Sequence, residues 1–470
     1  MTPDEFRRHA HDFVDWMADY MAGVGDYPVR SQVAPGDIAA ALSDAAPDTG
    51  EPLEDIFADF QRDVMPGITH WQHPRFFAYF PANGSPPSVL AEMLTAAMGV
   101  NGMLWETSPA ATEMETRVLD WLRQMIGLPE GFHGVIQDTA SSATLCALLA
   151  ARDRATAGAV TARGLAGSAP LTVYSSGQAH TSVDKGAIVA GYGRDHVRHV
   201  PTDDAFRMDP VALDRLIEED LAAGLRPACI VATLGTTGLG AIDPLADIAA
   251  VARTRGLYLH VDAAWAGSAC VLPEHRWMIE GIEHADSFVF NPHKWLMTNF
   301  DCSAHFVRDP EEFTRGLTLD PSYLKNRGKS DVIDYRNWGV PLGRRFRALK
   351  LWFVLRSYGT EGLAAIVGEH IRWTAKLAAR IEAEADFELL LPPALGLINF
   401  RYLPAGTGDA AADDLNRRLL AAVNDDGTTY ITGHEVAGRY ALRLSIGQTT
   451  TTEADVDLTW NKIGELARAL

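Results

Sequence analysis

The chain has 470 residues, 47% hydrophobic and 22% charged, the proportions of a soluble globular protein of two or three domains. Its 61 acidic against 41 basic residues leave a net charge of −20, which argues against nucleic acid or an anionic membrane surface as a partner. Four scattered cysteines (Cys146, Cys229, Cys270, Cys302) form no CxxC pair, which argues against a disulfide framework or a metal site and for a reducing, cytoplasmic setting.

The first stretch, "MTPDEFRRHAHDFVDWMADYM", is broken by charges and does not read as a signal peptide. Phe6, Phe13, Met17, Tyr20 and Met21 recur at helical spacing, Thr2 and Glu5 form a capping box, and Pro3 suits the first helical position. No apolar run approaches ~18 residues, so no membrane span is expected. Residues 1–80 read as helices broken at "VAPGD" and "AAPDTGEP", followed by the aromatic segment "HWQHPRFFAYFPAN". The "NGS" at Asn83 matches a glycosylation sequon and, without secretion, is read as chance.

From about residue 110 to 310 helices alternate with short apolar strands: "GVIQ", "LTVYSS", "ACIVATLG", "LYLHVDAA", "SFVFN" and "SAHFV". Between them lie helices such as "DPVALDRLIEEDLAAG", with Asp209 as cap, Pro210 first and Gly224 as terminator. That alternation predicts a mostly parallel sheet covered on both faces. Residues 311–345 are polar and loop-like. Beyond 346 a long helical stretch leads into strands "FELLLP", "LGLINFRYL", "TTYITG" and "YALRLSIG", each pair followed by a helix. The expected division is an N-terminal helical segment (1–84), a large α/β domain (85–345) and a small C-terminal α+β domain (346–470).

In a parallel sheet, ligands gather beyond the carboxyl ends of the strands. "SFVFNPHKW" ends a strand in Asn291, His293 and Lys294, and "LYLHVDAAWAG" ends another in His260 and Asp262. "LTVYSSGQAH" leads to His180, "IVATLGTT" to Thr236, and "GVIQDTASSATLCALLAAR" to Thr139, Ala140, Ser141 and the start of a helix. Each has an ordinary reading: a lysine that snorkels to solvent, a hydrogen-bonded core His or Asp, a helix cap. Together they specify three chemical handles. A hydroxyl-rich helix N-terminus cradles phosphate. A carboxylate holds a protonated ring nitrogen, a bond worth roughly 1.5–3 kcal/mol. A lysine in apolar surroundings is a nucleophile towards an aldehyde. Phosphate, pyridinium and aldehyde are the handles of pyridoxal 5'-phosphate (PLP), and Lys294 is read as its Schiff-base lysine.

These motifs, with "NPHKWLMTNFDCSA", "ATLGTT" and "GQAHTSV", resemble the group II PLP-dependent decarboxylases, best of all the aromatic-L-amino-acid decarboxylases. The resemblance covers the whole chain. It implies an aminotransferase-like fold of PLP fold-type I with a seven-stranded large domain, and a homodimer in which the N-terminal helices pack on the neighbouring subunit. It implies decarboxylation of an aromatic L-amino acid (tryptophan, 5-hydroxytryptophan, dopa, tyrosine or phenylalanine) to the amine and carbon dioxide. Position by position, Lys294 bonds the cofactor, Asp262 binds the ring nitrogen, and Thr139, Ala140, Ser141 and Asn291 fall on the phosphate side. His180 stacks on the ring, Thr236 and Ala264 line it, and His293 adjoins the lysine.

Segment 325–339, "KNRGKSDVIDYRNWG", resembles the family's catalytic loop, with Tyr335 as the proton donor. Trp71, Phe76, Phe77, Tyr79 and Phe80 read by themselves as core of an N-terminal subdomain; the resemblance instead places the substrate pocket on Trp71, Tyr79, Phe80, Pro81, Ala82, Asn101, Met103 and Gly343. Ala82 stands where animal enzymes carry Thr, and Asn101 and Met103 replace bulkier apolar residues. Gly343 stands where histidine decarboxylases carry Ser, which leaves room for a catechol or indole. A glutamate substrate would need a buried cation beside these aromatics, and none is read there. The nearest alternative is an aromatic acetaldehyde synthase, which in the family goes with Phe at the loop tyrosine or Asn at the stacking histidine; Tyr335 and His180 argue for decarboxylation. Histidine decarboxylase comes third, and a catalytically silent scaffold is disfavoured by the retained lysine, aspartate, histidine and tyrosine together.

Overall fold

In the computed structural model, which describes residues 1–319 and 332–470, the chain divides into a unit of Ala82–Arg372 and a unit of Met1–Pro81 with Trp373–Leu470. The larger unit is built on seven strands: β1 (His133–Gln137), β2 (Leu171–Ser176), β3 (Val197–Val200), β4 (Arg226–Thr233), β5 (Tyr258–Asp262), β6 (Ser287–Phe290) and β7 (Ser303–Val307). Their order is β1-β7-β6-β5-β4-β2-β3, parallel except for β7, which runs against both β6 and β1. Every residue of β2, β5, β6 and β7 is buried, as expected of strands covered on both faces. The six strands expected from the sequence are present. The additional β3 is an edge strand with only its first and last residues buried, so it lacks the apolar run that marks the others.

Helix Pro210–Ala222 forms where its punctuation predicts. Asp209 accepts from the N–H groups of Val211 (2.8 Å) and Ala212 (3.2 Å), and Gly224 adopts φ +77° just past the end. Helix Ala140–Ala155 starts three residues after β1 and is buried along most of its length.

The smaller unit carries an antiparallel sheet of β8 (Phe387–Leu389), β9 (Leu397–Tyr402), β10 (Thr432–Val436) and β11 (Arg439–Ser445), in the order β10-β11-β9-β8. Its core packs Phe400, Leu419, Leu442, Trp460 and Ile463, with Trp460 from the last helix 4.7 Å from the Phe387 ring. The strand expected at "TTYITG" begins only at Thr432. Tyr430 pairs instead with Phe76, and Asn424 takes both backbone groups of Ile431, which spends the hydrogen bonds a strand would use. Phe77 donates to the Tyr430 carbonyl (2.9 Å) and accepts from the Ser445 N–H (2.9 Å), which is why residues 1–81 belong with the C-terminal part.

Helix Pro3–Gly23 carries the expected capping box, but Phe6 on its apolar face is 61% exposed. The units divide at 81/82 and 372/373, against the expected 84/85 and 345/346, the second division falling in the second half of the helical stretch Ala348–Ala383, which breaks at Gly359. Among the described residues no helix is long and apolar enough to cross a membrane.

Candidate active site

The site is built where β4, β5 and β6 end side by side. Thr233 is in register with Asp262, and Asp262 with Val289. Asp262, the last residue of β5, is buried at 4% exposure, and its Oδ1 accepts from the Ala264 N–H at 3.0 Å. After β6 the chain turns through Asn291 into the single helical turn Pro292–Trp295 that carries Lys294. That turn is pinned from outside: Asn83 donates from its backbone N–H to the His293 carbonyl (2.8 Å) and from Nδ2 to the Lys294 carbonyl (2.7 Å). The Cys302 N–H donates to His293 Nδ1 at 2.9 Å, and burial, reinforced by the Lys294 charge, pushes the His293 pKa down to about 3. His293 is therefore a neutral strut beside the lysine. Asn83 is fully buried; the sequon match concealed a residue that holds the lysine turn.

His180 follows β2. The Ser182 N–H donates to its Nδ1 at 3.2 Å, which places the proton of the neutral ring on Nε2. Partial burial lowers its pKa, Asp262 opposes and Lys294 reinforces, so both charged residues lie close enough to act on the imidazole. Thr236 is fully buried beyond β4, with Oγ1 accepting from Ala241 N–H at 3.0 Å. At the end of β1, Thr139 caps helix Ala140–Ala155 (3.4 Å from Ser142 N–H), leaving the first-turn N–H groups of Ala140 and Ser141 without a helical partner. Ala140 and Ala143 pack with Val289 and Ala264, which joins this helix start to the β5 and β6 ends. Thr139, Ala140, Ser141, His180, Thr236, Asp262, Ala264, Asn291, His293 and Lys294 thus all sit along one carboxyl edge. Not every polar residue there is part of the site: His260 is held between Thr144 Oγ1 (3.2 Å) and Ser287 Oγ (2.7 Å), with burial lowering its pKa to about 4. Its ordinary reading, a satisfied core histidine, holds.

The edge fits the phosphate, ring nitrogen and aldehyde of PLP. Buried Asn291 Oδ1, Thr233 Oγ1 and Ser176 Oγ, at the ends of β6, β4 and β2, have no hydrogen-bond partner among the described residues, as expected of groups arranged for a polar ligand. With a capping helix start, a buried carboxylate and a lysine on one edge, the donor set matches the cofactor group by group.

Tyr335 is placed elsewhere, which corrects its reading as a loop proton donor. It is 2% exposed, its hydroxyl donates to the Gly134 carbonyl (3.2 Å) and pairs with Thr116 Oγ1 (3.0 Å), and its ring lies under the Arg344 guanidinium (4.8 Å). Gly134 lies three residues back from the carboxyl end of β1, about 10 Å at ~3.3 Å per residue. Residues 325–331 of the expected loop lie outside the described residues.

In the smaller unit, Trp71 packs on Phe76 (4.4 Å) and Tyr79 (5.9 Å), and Phe80 and Pro81 are buried. Arg443, missed by the sequence reading, is buried beside them: Nη1 donates to the Tyr79 carbonyl (2.6 Å), the guanidinium lies 4.7 Å over the Phe80 ring, and burial lowers its pKa to about 9. The expectation of no buried cation beside these aromatics is therefore wrong. In the larger unit Ala82 is half-buried, and Asn101 and Gly343 come together. Asn101 Oδ1 accepts from the Arg344 N–H (3.0 Å), Gly102 donates to the Arg344 carbonyl (2.9 Å), and Met103 accepts from Arg336 N–H (3.0 Å). A Cβ on Gly343 would lie 3.8 Å from Asn101 Nδ2.

A mostly parallel sheet whose carboxyl edge carries a lysine, a buried aspartate, a histidine and a capped helix start with free N–H groups defines a PLP-dependent enzyme of the aminotransferase-like fold. The chain belongs to the pyridoxal-dependent decarboxylases: the model of the pyridoxal-dependent decarboxylase conserved domain matches residues 35–403. It is 42% identical to tryptophan decarboxylase TDC2 of Camptotheca acuminata, over 100% of this chain and 96% of the relative. It is 41% identical to a phenylacetaldehyde synthase of Arabidopsis thaliana, over 100% and 97%. The crystal structure of Oryza sativa TDC with PLP and tryptamine superposes with a TM-score of 0.96 at 36% identity, covering 100% of this chain and 99% of that one. The cofactor is pyridoxal phosphate and the enzyme is a carboxy-lyase.

Proposed function

We propose that the protein decarboxylates an aromatic L-amino acid (tryptophan, 5-hydroxytryptophan, dopa, tyrosine or phenylalanine) to the arylalkylamine and carbon dioxide. The observation that carries the proposal is the placement of Lys294 and Asp262 at the ends of adjacent parallel strands, both acting on His180. The cofactor, when bound, supplies an aldehyde for an amine and a cationic ring that draws off the electron pair left as carbon dioxide departs. Lys294 would hold the aldehyde carbon, and Asp262 would keep the ring nitrogen protonated by a charge-assisted hydrogen bond. The Ala140 and Ser141 N–H groups, with Asn291, would take the phosphate at the positive end of the helix dipole. His180 would lie against the ring. Because Tyr335 spends its hydroxyl in the core, His180 Nε2–H is the described group assigned to return the proton to Cα.

Trp71, Tyr79, Phe80 and Pro81 are assigned to the substrate's aromatic side chain, with Ala82, Asn101, Met103 and Gly343 as further substrate contacts. Burial of a ring of ~150–250 Å² at ~25 cal/mol/Å² is worth about 4–6 kcal/mol, enough for micromolar-to-millimolar recognition. With Arg443 buried beside Phe80, the choice of an aromatic over an acidic side chain rests on these rings and on what the relatives act on. The second reading, an aromatic acetaldehyde synthase, is favoured by the similarity to the Arabidopsis enzyme. Decarboxylation is preferred because His180 is retained at the stacking position; Tyr335, in the core, no longer discriminates.

The enzyme is also proposed to act as a cytoplasmic homodimer. All four cysteines are buried and free, and Leu90, Leu94 and Met98 stay exposed along one face of helix Pro86–Met98, apolar surface of the kind a second copy would cover. The test is product analysis: PLP-loaded protein with each aromatic amino acid, histidine and glutamate, measuring amine, carbon dioxide, aldehyde and oxygen uptake. Amine without oxygen uptake is expected. Aldehyde with stoichiometric oxygen uptake overturns the decarboxylase reading in favour of the synthase, and turnover of glutamate alone overturns the aromatic substrate class.

A further inference from the structure

Three turns carry the residues assigned to the cofactor: Gly235–Thr236 after β4, Ala263–Gly267 after β5 with Asp262 before it, and Asn291–Trp295 after β6 with Lys294 within it. Backbone bonds link them near their starts, Leu234 N–H to the Asp262 carbonyl (2.8 Å) and Asn291 N–H to the Ala264 carbonyl (2.9 Å). Lys294 lies three residues beyond the second of these links. Besides the Asn83 bond to its backbone, a column of rings reaches it. Trp295, next to Lys294 and fully buried, stacks on Trp265 at 5.0 Å with 14° between planes.

Trp265 in turn presses on the β4 turn. A Cβ on Gly235, which has φ +81°, would meet Ala266 Cβ at 2.7 Å and Trp265 Cε3 at 3.1 Å, so the indole and that backbone meet with no space for a side chain. At the other end Trp295 Nε1 donates to His370 Nδ1 at 2.9 Å, and the imidazole is nearly coplanar with the indole (12°). His370 is 1% exposed on the helical segment that follows the break at Gly359 (φ +63°) and runs to Ala383, so the column ends on a helix. A fully buried indole N–H needs such an acceptor, and an acceptor on a helix fixes the ring's angle as well as its depth.

We propose that Trp265, Trp295 and His370 are positioning residues: the stacked indoles lock the Lys294 turn to the Asp262 and Thr236 turns, and His370 sets the orientation of the stack. Small errors in such alignment cost rate although no contact to substrate is lost. The inference rests on the reading of Lys294 and Asp262 as the cofactor residues. His370→Leu keeps bulk and removes the acceptor. His370→Asn restores an acceptor near Nδ1. Trp295→Phe keeps a ring and drops the donor, and carries the test if His370→Leu does not fold.

The readouts are the affinity of the apo-protein for PLP, by absorbance titration, the melting temperature of the apo-protein, and kcat and KM separately. His370→Leu and Trp295→Phe should weaken PLP binding and lower kcat by at least about tenfold, the size expected when one buried hydrogen-bond partner is removed, with KM nearly unchanged. His370→Asn should return both to within about threefold of wild type. Variants that melt earlier yet keep PLP affinity and kcat within that same factor would overturn the proposal and leave the column as core. His370→Asn as impaired as His370→Leu would overturn it too. Lys294→Ala is the separate control: PLP affinity equal to wild type in that variant would defeat the underlying reading of the lysine.

Discussion

Replacing Tyr335 by Phe separates a structural from a chemical role. The Tyr335 hydroxyl donates to the Gly134 carbonyl and lies 3.0 Å from Thr116 Oγ1, whose own proton can go to it or to the Thr112 carbonyl at 3.0 Å. Thr116 therefore keeps a partner in the variant, and the main loss is the bond to Gly134. At a net ~0.5–1.5 kcal/mol per bond, plus some cost for an unpaired carbonyl, the fold should lose about 1–2 kcal/mol. For a unit of this size that is a fall of roughly 2–5 °C in melting temperature, measured by calorimetry. Turnover should stay within about threefold of wild type. A proton donor lost from the reaction would instead cost ~10²–10⁴-fold. Amine formation and oxygen uptake measured together decide the matter. Amine production reduced a hundredfold, with PLP content intact and oxygen consumed, would refute the placement of Tyr335 in the core as its working position.

Asp262→Asn should lower kcat far more than it raises KM, because an amide cannot hold a ring nitrogen protonated; a loss of only about tenfold, ~1.4 kcal/mol, would be too small for that role. Gly343→Ser should leave stability unchanged, since the added Cβ meets Asn101 Nδ2 at an ordinary 3.8 Å, while kcat/KM for tryptophan falls relative to phenylalanine by ~1–3 kcal/mol; an unchanged ratio would remove Gly343 from the pocket. The apo-protein should lose stability in acid. His260 and His293 have folded pKa values of about 4 and about 3, below the ordinary ~6.5, so each contributes stability above pH ~6.5 that is lost as pH falls, about 3 kcal/mol apiece by pH 4. Asp243, raised by burial to about 6, acts in the opposite sense and offsets at most about 3 kcal/mol, so the histidines win; unchanged melting between pH 6.5 and 4.5 would contradict this.

What the sequence showed and what it hid divide along a physical line. Lys294, Asp262 and Thr139 were legible because each stands at the end of a short apolar run or the start of a helix, where local pattern decides position. The capping box of Thr2 and Glu5 and the Asp209–Gly224 helix were legible for the same reason. The misreadings involve partners far along the chain. Tyr335 sits in a polar, glycine-containing stretch that looks like a loop, but its hydroxyl finds Thr116, 219 residues away. Arg443 lies within the strand "YALRLSIG" with no local mark to single it out, yet it meets the Tyr79 carbonyl across 364 residues. Tyr430 and Ile431 carry strand propensity but give their backbone bonds to residues 75–77 and to Asn424. Asn83 was hidden by a coincidental sequon. The Trp295–His370 bond spans 75 residues and has no local signature.

The central claim is that Lys294 carries the cofactor. Reducing the PLP-loaded protein with borohydride makes a lysine–cofactor link permanent, and peptide mass mapping then locates it. The account predicts loss of the yellow colour and a single pyridoxyl mass on the peptide containing Lys294, with none on Lys294→Ala. Label on another lysine, or the same label and full amine production in Lys294→Ala, would contradict it.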